Sequence, residues 1–153
     1  MAVVRDNRRQ WDLLRRQLSQ LHNTEVVAGI THSASVGGQS VAEYAAYNEF
    51  GTSRIPARPF MRTAFDDNQQ KLERMVLRAG REVVLGKITG AKFFNSVGLQ
   101  MQNVIKRQIR SNMDPRNAIS TVQAKGSDHT LIDTGVMLSN VTFEIRKLGA
   151  TKE

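Results

Sequence analysis

Residues 4–22 carry Trp11, Leu14, Leu18 and Leu21 at i, i+3, i+7 and i+10, while Arg8, Arg9, Arg15 and Arg16 occupy the opposite face. The spacing predicts an amphipathic helix with a solvated basic side. In residues 24–31 the period shortens to two: Val26, Ala28 and Ile30 alternate with their neighbours, the pattern of a half-buried strand. Residues 33–39 (SASVGGQ) have turn composition and no period, which predicts a mobile loop or hairpin tip.

A short helix is expected from Ser40. Ser40 and Glu43 have the spacing of a capping box, and Gly51 is placed to stop the helix in a left-handed conformation. Pro56 and Pro59 hold residues 52–59 extended, and Pro59 suits the first turn of the next helix. That helix is predicted over 59–85 from Phe60, Ala64, Leu72, Met75, Val76, Ala79 and Val83. Its polar stretch 66–71 must face solvent or mark a bend. Gly86 and Gly90 bracket a break before a second long helix over 91–111, with Phe94, Val97, Met101, Val104, Ile105 and Ile109 on its buried face. Asn112 and Pro115 close it, and residues 114–130 read as loop. A last strand is expected over 140–146, where Val141, Phe143 and Ile145 alternate with Thr142, Glu144 and Arg146.

These elements describe an α+β fold: an antiparallel sheet including 24–31 and 140–146, packed against two long helices, with an N-terminal amphipathic helix. No internal repeat or second domain is visible, so residues 1–153 are expected to form one domain with a flexible tail over 148–153. Aromatic residues make up only 6% of the chain, so the core should be aliphatic with methionine filling gaps. The chain has no cysteine, which removes disulfides, thiolate metal sites and thiol nucleophiles. Five arginines interrupt the first thirty residues where a signal peptide needs an apolar run, and no segment approaches the ~20 apolar residues of a membrane span. No membrane association is expected. Lys and Arg outnumber Asp and Glu 22 to 14, a formal net charge of +8 that favours nucleic acid or acidic protein surfaces without specifying a fold.

Catalytic chemistry finds little support. Leu131-Ile132-Asp133-Thr134-Gly135 has the local pattern of an aspartic protease, but only 18 residues follow Gly135, too few for the strands such a site needs. Asp133, Thr134 and Gly135 are therefore read as a structural turn, with Asp133 or Thr134 capping it. His22, His32 and His129 are scattered and match no metal-ligand spacing, and no Ser/His/Asp arrangement stands out. Asn140-Val141-Thr142 is a glycosylation sequon without meaning unless the chain is secreted. Glu49, Asp66 and Asp67 read as a helix-end acid and a solvated face. Neither an enzyme nor a cofactor is expected.

Two blocks carry a resemblance. The first is VAEYAAYNEFGTSRIPARPFMRTAF at 41–65; the second, over 114–145, contains DP-x-N, T-V-x-x-K-G and L-I-D-T-G before a V-T-F-E-I strand. In content, order and spacing they resemble the tail-completion and neck proteins of long-tailed bacteriophages, a family labelled virion morphogenesis proteins in contractile-tailed phages. The resemblance covers a little over a third of the chain, and PARPF is its more specific part.

It implies a small structural protein that forms a ring, usually a hexamer, at the virion neck and joins the tail to the DNA-filled head after assembly in the host cytoplasm. Expected partners are copies of itself, head-completion or connector proteins, a tail terminator or tail-tube protein, and genomic DNA in the lumen. The alternatives are a tail terminator capping the tube or, in a different class, a non-specific nucleic-acid-binding protein. In the ring role Asn48, Glu49, Phe50, Gly51, Ile55, Pro56, Arg58, Pro59 and Phe60 are the candidate interface. Proline rigidity lowers the cost of docking there, Arg58 is suited to a carboxylate and Phe60 to a pocket, unless Phe60 is simply the first core residue of its helix. Arg8, Arg9, Arg15, Arg16, Lys106, Arg107 and Arg110 are candidate contacts for DNA or an acidic partner.

Overall fold

The computed structural model describes residues 7–30, 35–36 and 38–149. The expectations for residues 4–6, for Thr31, His32 and much of the 33–39 loop, and for the tail beyond 149 lie outside the described residues.

The protein is mixed α+β. Helix α1 (Arg8–His22) leads into strand β1 (Thr24–Ile30); a two-residue hairpin, β2 (Ser35–Val36) and β3 (Gln39–Ser40), follows. Then come α2 (Val41–Phe50), α3 (Phe60–Asp66), α4 (Gln69–Val84), α5 (Gly90–Arg110), α6 (Ile119–Lys125), α7 (Val136–Ser139) and β4 (Val141–Lys147).

β1 and β4 pair antiparallel from Thr24 against Lys147 to Ile30 against Val141. This register sets Val26 opposite Ile145, Ala28 opposite Phe143 and Ile30 opposite Val141, so the two alternating apolar sets share one face. The other face carries Glu25 and Arg146, whose Nε and Oε1 lie 2.7 Å apart. Only part of the apolar face is covered: Val141 is fully buried, whereas Ile145 at the far end is exposed, against expectation. Beyond β4, the amide of Leu148 donates to Asn23 at 3.0 Å, so the chain is still tied to the body of the protein where a flexible tail was expected to begin.

α5 is the beam of the structure. It lies along both strands and also meets α3, α4 and α1. Its sequence opens with Thr89, whose hydroxyl accepts from the Lys92 amide as an N-cap, and places Phe94, Val97, Val104, Ile105 and Ile109 inward. Gly98 is the contact point with the sheet: a Cβ there would collide with the ring of Phe143, so the helix can approach the strand only because the position is glycine. Gln102 adds a bond from Nε2 to the Val141 carbonyl at 2.8 Å. The main core forms at the C-terminal half of α5, where Val104, Ile105 and Ile109 meet Val41, Ala45, Phe60, Ala64, Leu131, Met137 and Val141.

The remaining elements depart from the sequence reading in informative ways. The helix expected over 59–85 is two helices broken at Asp67 and Asn68; Asn68 folds its side chain back onto the Ala64 carbonyl, so the polar stretch marks a bend. Pro59 is the N-cap residue of α3, outside the helix, with φ −74° and ψ 67°. The capping box at Ser40 is not formed: Ser40 makes no side-chain cap bond, and Glu43 instead accepts from the Tyr47 hydroxyl, which raises the Tyr47 pKa. Residues 114–130 contain α6, which buries no side chain and is ended by Gly126 in a left-handed conformation. Its lack of a buried face is why no apolar period announced it. On α1 only Leu14 and Leu21 of the expected stripe are half-buried, while Trp11 and Leu18 are exposed, because α1 touches α4 and α5 only sparsely. Val76 on α4 is likewise exposed.

Two glycines in helices give opposite expectations. Gly98→Ala gains ~1 kcal/mol of helix propensity but forces Phe143 aside, an overpacking cost of ~1–3 kcal/mol, so the variant should be less stable. Gly80→Ala on α4 meets no atom within 4 Å and should be more stable by up to about 1 kcal/mol. Thermal unfolding of the two variants, read by circular dichroism, should move in opposite directions.

Candidate partner-binding groove

Residues 48–60, the heart of the expected interface, are held together from within. Glu49 is 8% exposed, near the end of α2, and its two carboxylate oxygens accept the Met61 and Arg62 amides at 2.8 and 3.0 Å. Those are first-turn donors of α3, so Glu49 caps a helix that begins eleven residues later. Asn48, also buried, donates from its side chain to the Tyr44 carbonyl, and its own carbonyl accepts the Arg58 amide at 2.6 Å. Gly51 has φ 76° and ψ 170°, a positive φ but not the left-handed helical cap expected, and a Cβ there would sit 2.9 Å from the Ala57 nitrogen. Thr52 closes the turn by accepting from Arg54 and Ile55 through its hydroxyl.

Arg58 lies at the bottom of this connector and is 4% exposed. Its Nε donates to the Pro115 carbonyl at 2.7 Å and its Nη2 to the Asn117 side-chain oxygen at 3.2 Å. Both acceptors are neutral, and among the described residues no carboxylate forms an ion pair with it. Burial pushes the guanidinium pKa below its usual value, opposed in part by Tyr44. Arg58 thus ties the 52–59 connector to the segment before α6. Asn117 extends the tie by donating to the His129 carbonyl, which also accepts from Lys125.

Above Arg58 the two segments form a cavity of about 410 Å³, lined by Arg54, Arg116 and Lys125 as well as Arg58, with Ile55, Pro56 and Ala118 among its apolar walls. Asp133 supplies the only acid of that lining. A second cavity of about 240 Å³ lies between β3, α2 and the Asp133–Met137 turn, with Val41, Leu131, Val136 and Met137 in its walls. The linings of the two share Tyr44 and Asp133, so the cavities neighbour each other, and the cationic side chains line the first alone.

Several expected site residues therefore change role. Phe60 is 0% exposed and is core, while Asn48, Glu49 and Arg58 are buried struts. Pro59 is half-buried at the α3 cap. Phe50, 70% exposed, is the apolar residue of the block that does face outward; Pro56 is exposed and Ile55 half-buried, both in the groove wall. Asp133 and Thr134 are exposed and cap nothing; Gly135, at φ 78°, is the N-cap residue of α7. Arg8, Arg9, Arg15 and Arg16 are exposed on α1, Arg107 and Arg110 are exposed on α5, and Lys106 is half-buried. These two basic clusters do not merge. Leu13 of α1 lies against Gly86, just before α5 begins, whereas Lys106 to Arg110 end that helix. Arg54, Arg116 and Lys125 were missed because their convergence depends on a contact between segments some sixty residues apart, for which adjacent sequence holds no signal.

Truncation of the struts should act on the monomer. Arg58→Ala leaves the Pro115 and Asn117 oxygens without their charged donor and should cost ~2–4 kcal/mol, with Arg58→Lys rescuing little because an ammonium cannot span both. Glu49→Ala should cost ~1–3 kcal/mol and speed amide exchange at Met61 and Arg62. Phe60→Ala should cost ~3–5 kcal/mol. Denaturant titration of the isolated chain checks all three; an unchanged midpoint for Arg58→Ala would contradict its role as a strut.

Comparison with family models, with curated proteins and with solved structures returns no match for this chain.

Proposed function

We propose that this chain is a non-enzymatic structural subunit of a bacteriophage virion, a ring-forming tail-completion or neck protein that joins the tail to the DNA-filled head. The resemblance in the 41–65 and 114–145 blocks supplies the identity of that role. The observation that carries the assembly part is the amount of apolar side chain left on the outer helices. Trp11, Leu77 and Leu85 are 61%, 74% and 54% exposed, and Leu13, Val84 and Leu99 are exposed as well, all of them on or at the ends of α1, α4 and α5. An apolar surface of this kind marks a place for a partner. Leu77 and Val84 stand seven residues apart on α4, one stripe of the helix, which suits packing against an equivalent helix of another copy. The main sheet adds a second reason. Among the described residues β1 and β4 each have one neighbour only, and a lone two-stranded ribbon is a marginal unit that gains from further pairing.

The exposed arginines of α1 and the Lys106–Arg110 end of α5 suit either the lumen of a DNA-conducting ring or the acidic face of an adjacent one. Genome must slide through a neck and leave it, so DNA binding should be weak, indifferent to sequence and steeply lost with salt. The closest alternative role is the tail terminator, which caps the tube.

Two measurements test the reading. Native mass spectrometry of the full chain should show a closed oligomer, six-fold by the resemblance, and Leu77→Asp should shift it to monomer with helicity unchanged. A phage lacking the gene should accumulate filled heads and separate tails. Tails of uncontrolled length would favour the terminator, and normal infectious particles from the deletion strain would refute both virion roles.

A further inference from the structure

We propose that the groove between α2, the 52–58 connector and the 115–125 segment is a docking site for an extended segment of another protein, one carrying an aspartate or glutamate a few residues from an apolar anchor. The proposal goes beyond the virion role and holds whether or not that role is correct.

The basic end points to the acid. Arg58 is a buried guanidinium whose bonds among the described residues go to one carbonyl and one amide oxygen; Arg54 lines the same cavity, as does Arg116, which also pairs with Asp114 at 3.2 Å. A carboxylate reaching this position accepts from guanidinium N–H groups other than those that hold Pro115 and Asn117, so the tie to those residues is kept, in a geometry that suits the planar fork of arginine. At 4% exposure, Arg58 can be met only by a slender group. A side-chain carboxylate on a flexible segment qualifies. The convex backbone of a nucleic-acid duplex reaches the exposed Arg54 and Arg116 but not the buried floor.

The other end points to the anchor. Val136 and Met137 line a cavity of about 240 Å³, enough for a leucine- or phenylalanine-sized side chain. Recognition of acidic motifs by arginine clusters and of extended segments by alternating pockets are both recurrent modes. A net charge of +8 favours an acidic partner of a different kind over a second copy of this chain.

The test is a heteronuclear NMR titration of the full-length chain with three probes: a short peptide alternating leucine and aspartate, the same peptide with asparagine for aspartate, and a short DNA duplex. The acidic peptide should saturably shift the amides of Arg54, Asn117, Lys125 and Val136, and the asparagine peptide should bind at least about tenfold more weakly. The double variant Arg54→Gln/Arg116→Gln alters exposed residues only, so its thermal transition should match the parent while acidic-peptide affinity falls by about tenfold or more. Equal binding of the two peptides, shifts confined to other surfaces, no effect of the double variant, or no binding at all would each overturn the proposal. Displacement of the peptide by the duplex from the same amides would reassign the groove to nucleic acid.

Discussion

Glu49 holds a carboxylate almost out of water, and the arrangement is tolerable because α3 directs two unpaired backbone donors at it. A buried carboxylate without such partners would cost several kcal/mol, of order the whole margin by which small proteins are stable. The end of α2 and the start of α3 are therefore obliged to meet at one geometry. Once they do, the connector between them has no freedom left. Gly51 turns where a side chain would strike the Ala57 backbone, Asn48 receives the Arg58 amide, and Phe60 enters the core as the first residue of its helix. The block that looks like a protruding docking loop is a brace.

The brace explains the groove. Because the backbone at Arg58 is fixed from one side, its side chain can cross to Pro115 and Asn117 and draw the segment before α6 against the connector. That segment has little packing of its own, since α6 buries nothing. Its position depends on hydrogen bonds from Arg58, Asn117 and Lys125 more than on hydrophobic burial. The cavity that results carries the cationic side chains; the neighbouring one, between α2 and the turn at Val136 and Met137, carries none.

α5 organises the rest, but unevenly. Its C-terminal half meets α2, α3, α7 and the start of β4 and closes a well-filled core. Its N-terminal half meets α4 and α1, which cover it only partly: α4 buries Val83 alone, and none of the α1 residues whose burial is described is fully buried. A helix with a strongly apolar stripe and so little of it covered has more to gain from a neighbour than from solvent. The asymmetry separates a well-filled end of the molecule from one whose helices leave apolar side chains exposed.

The elements themselves were legible in the sequence. Period-two and period-3.6 patterns placed α1, β1, α5 and β4 to within a residue or two over the described chain, because each must present one apolar face and the period reports which residues lie on it, while α2 was placed by the end signals at Ser40 and Gly51. Paired alternation at Val26, Ala28, Ile30 and Val141, Phe143, Ile145 also anticipated that β1 and β4 belong to one sheet. α6 escaped because a helix with no buried face has no period to detect. The roles of the motif residues were not legible either. The same Glu49, Arg58 and Phe60 suit an outward interface or an inward brace equally well, and only the approach of α3 to α2, and of Pro115 to the connector, chose the second. A sequence specifies which residues must leave water; where they go, and which surfaces are left without a partner, is settled by contacts between segments far apart in the chain, whose geometry no local pattern encodes.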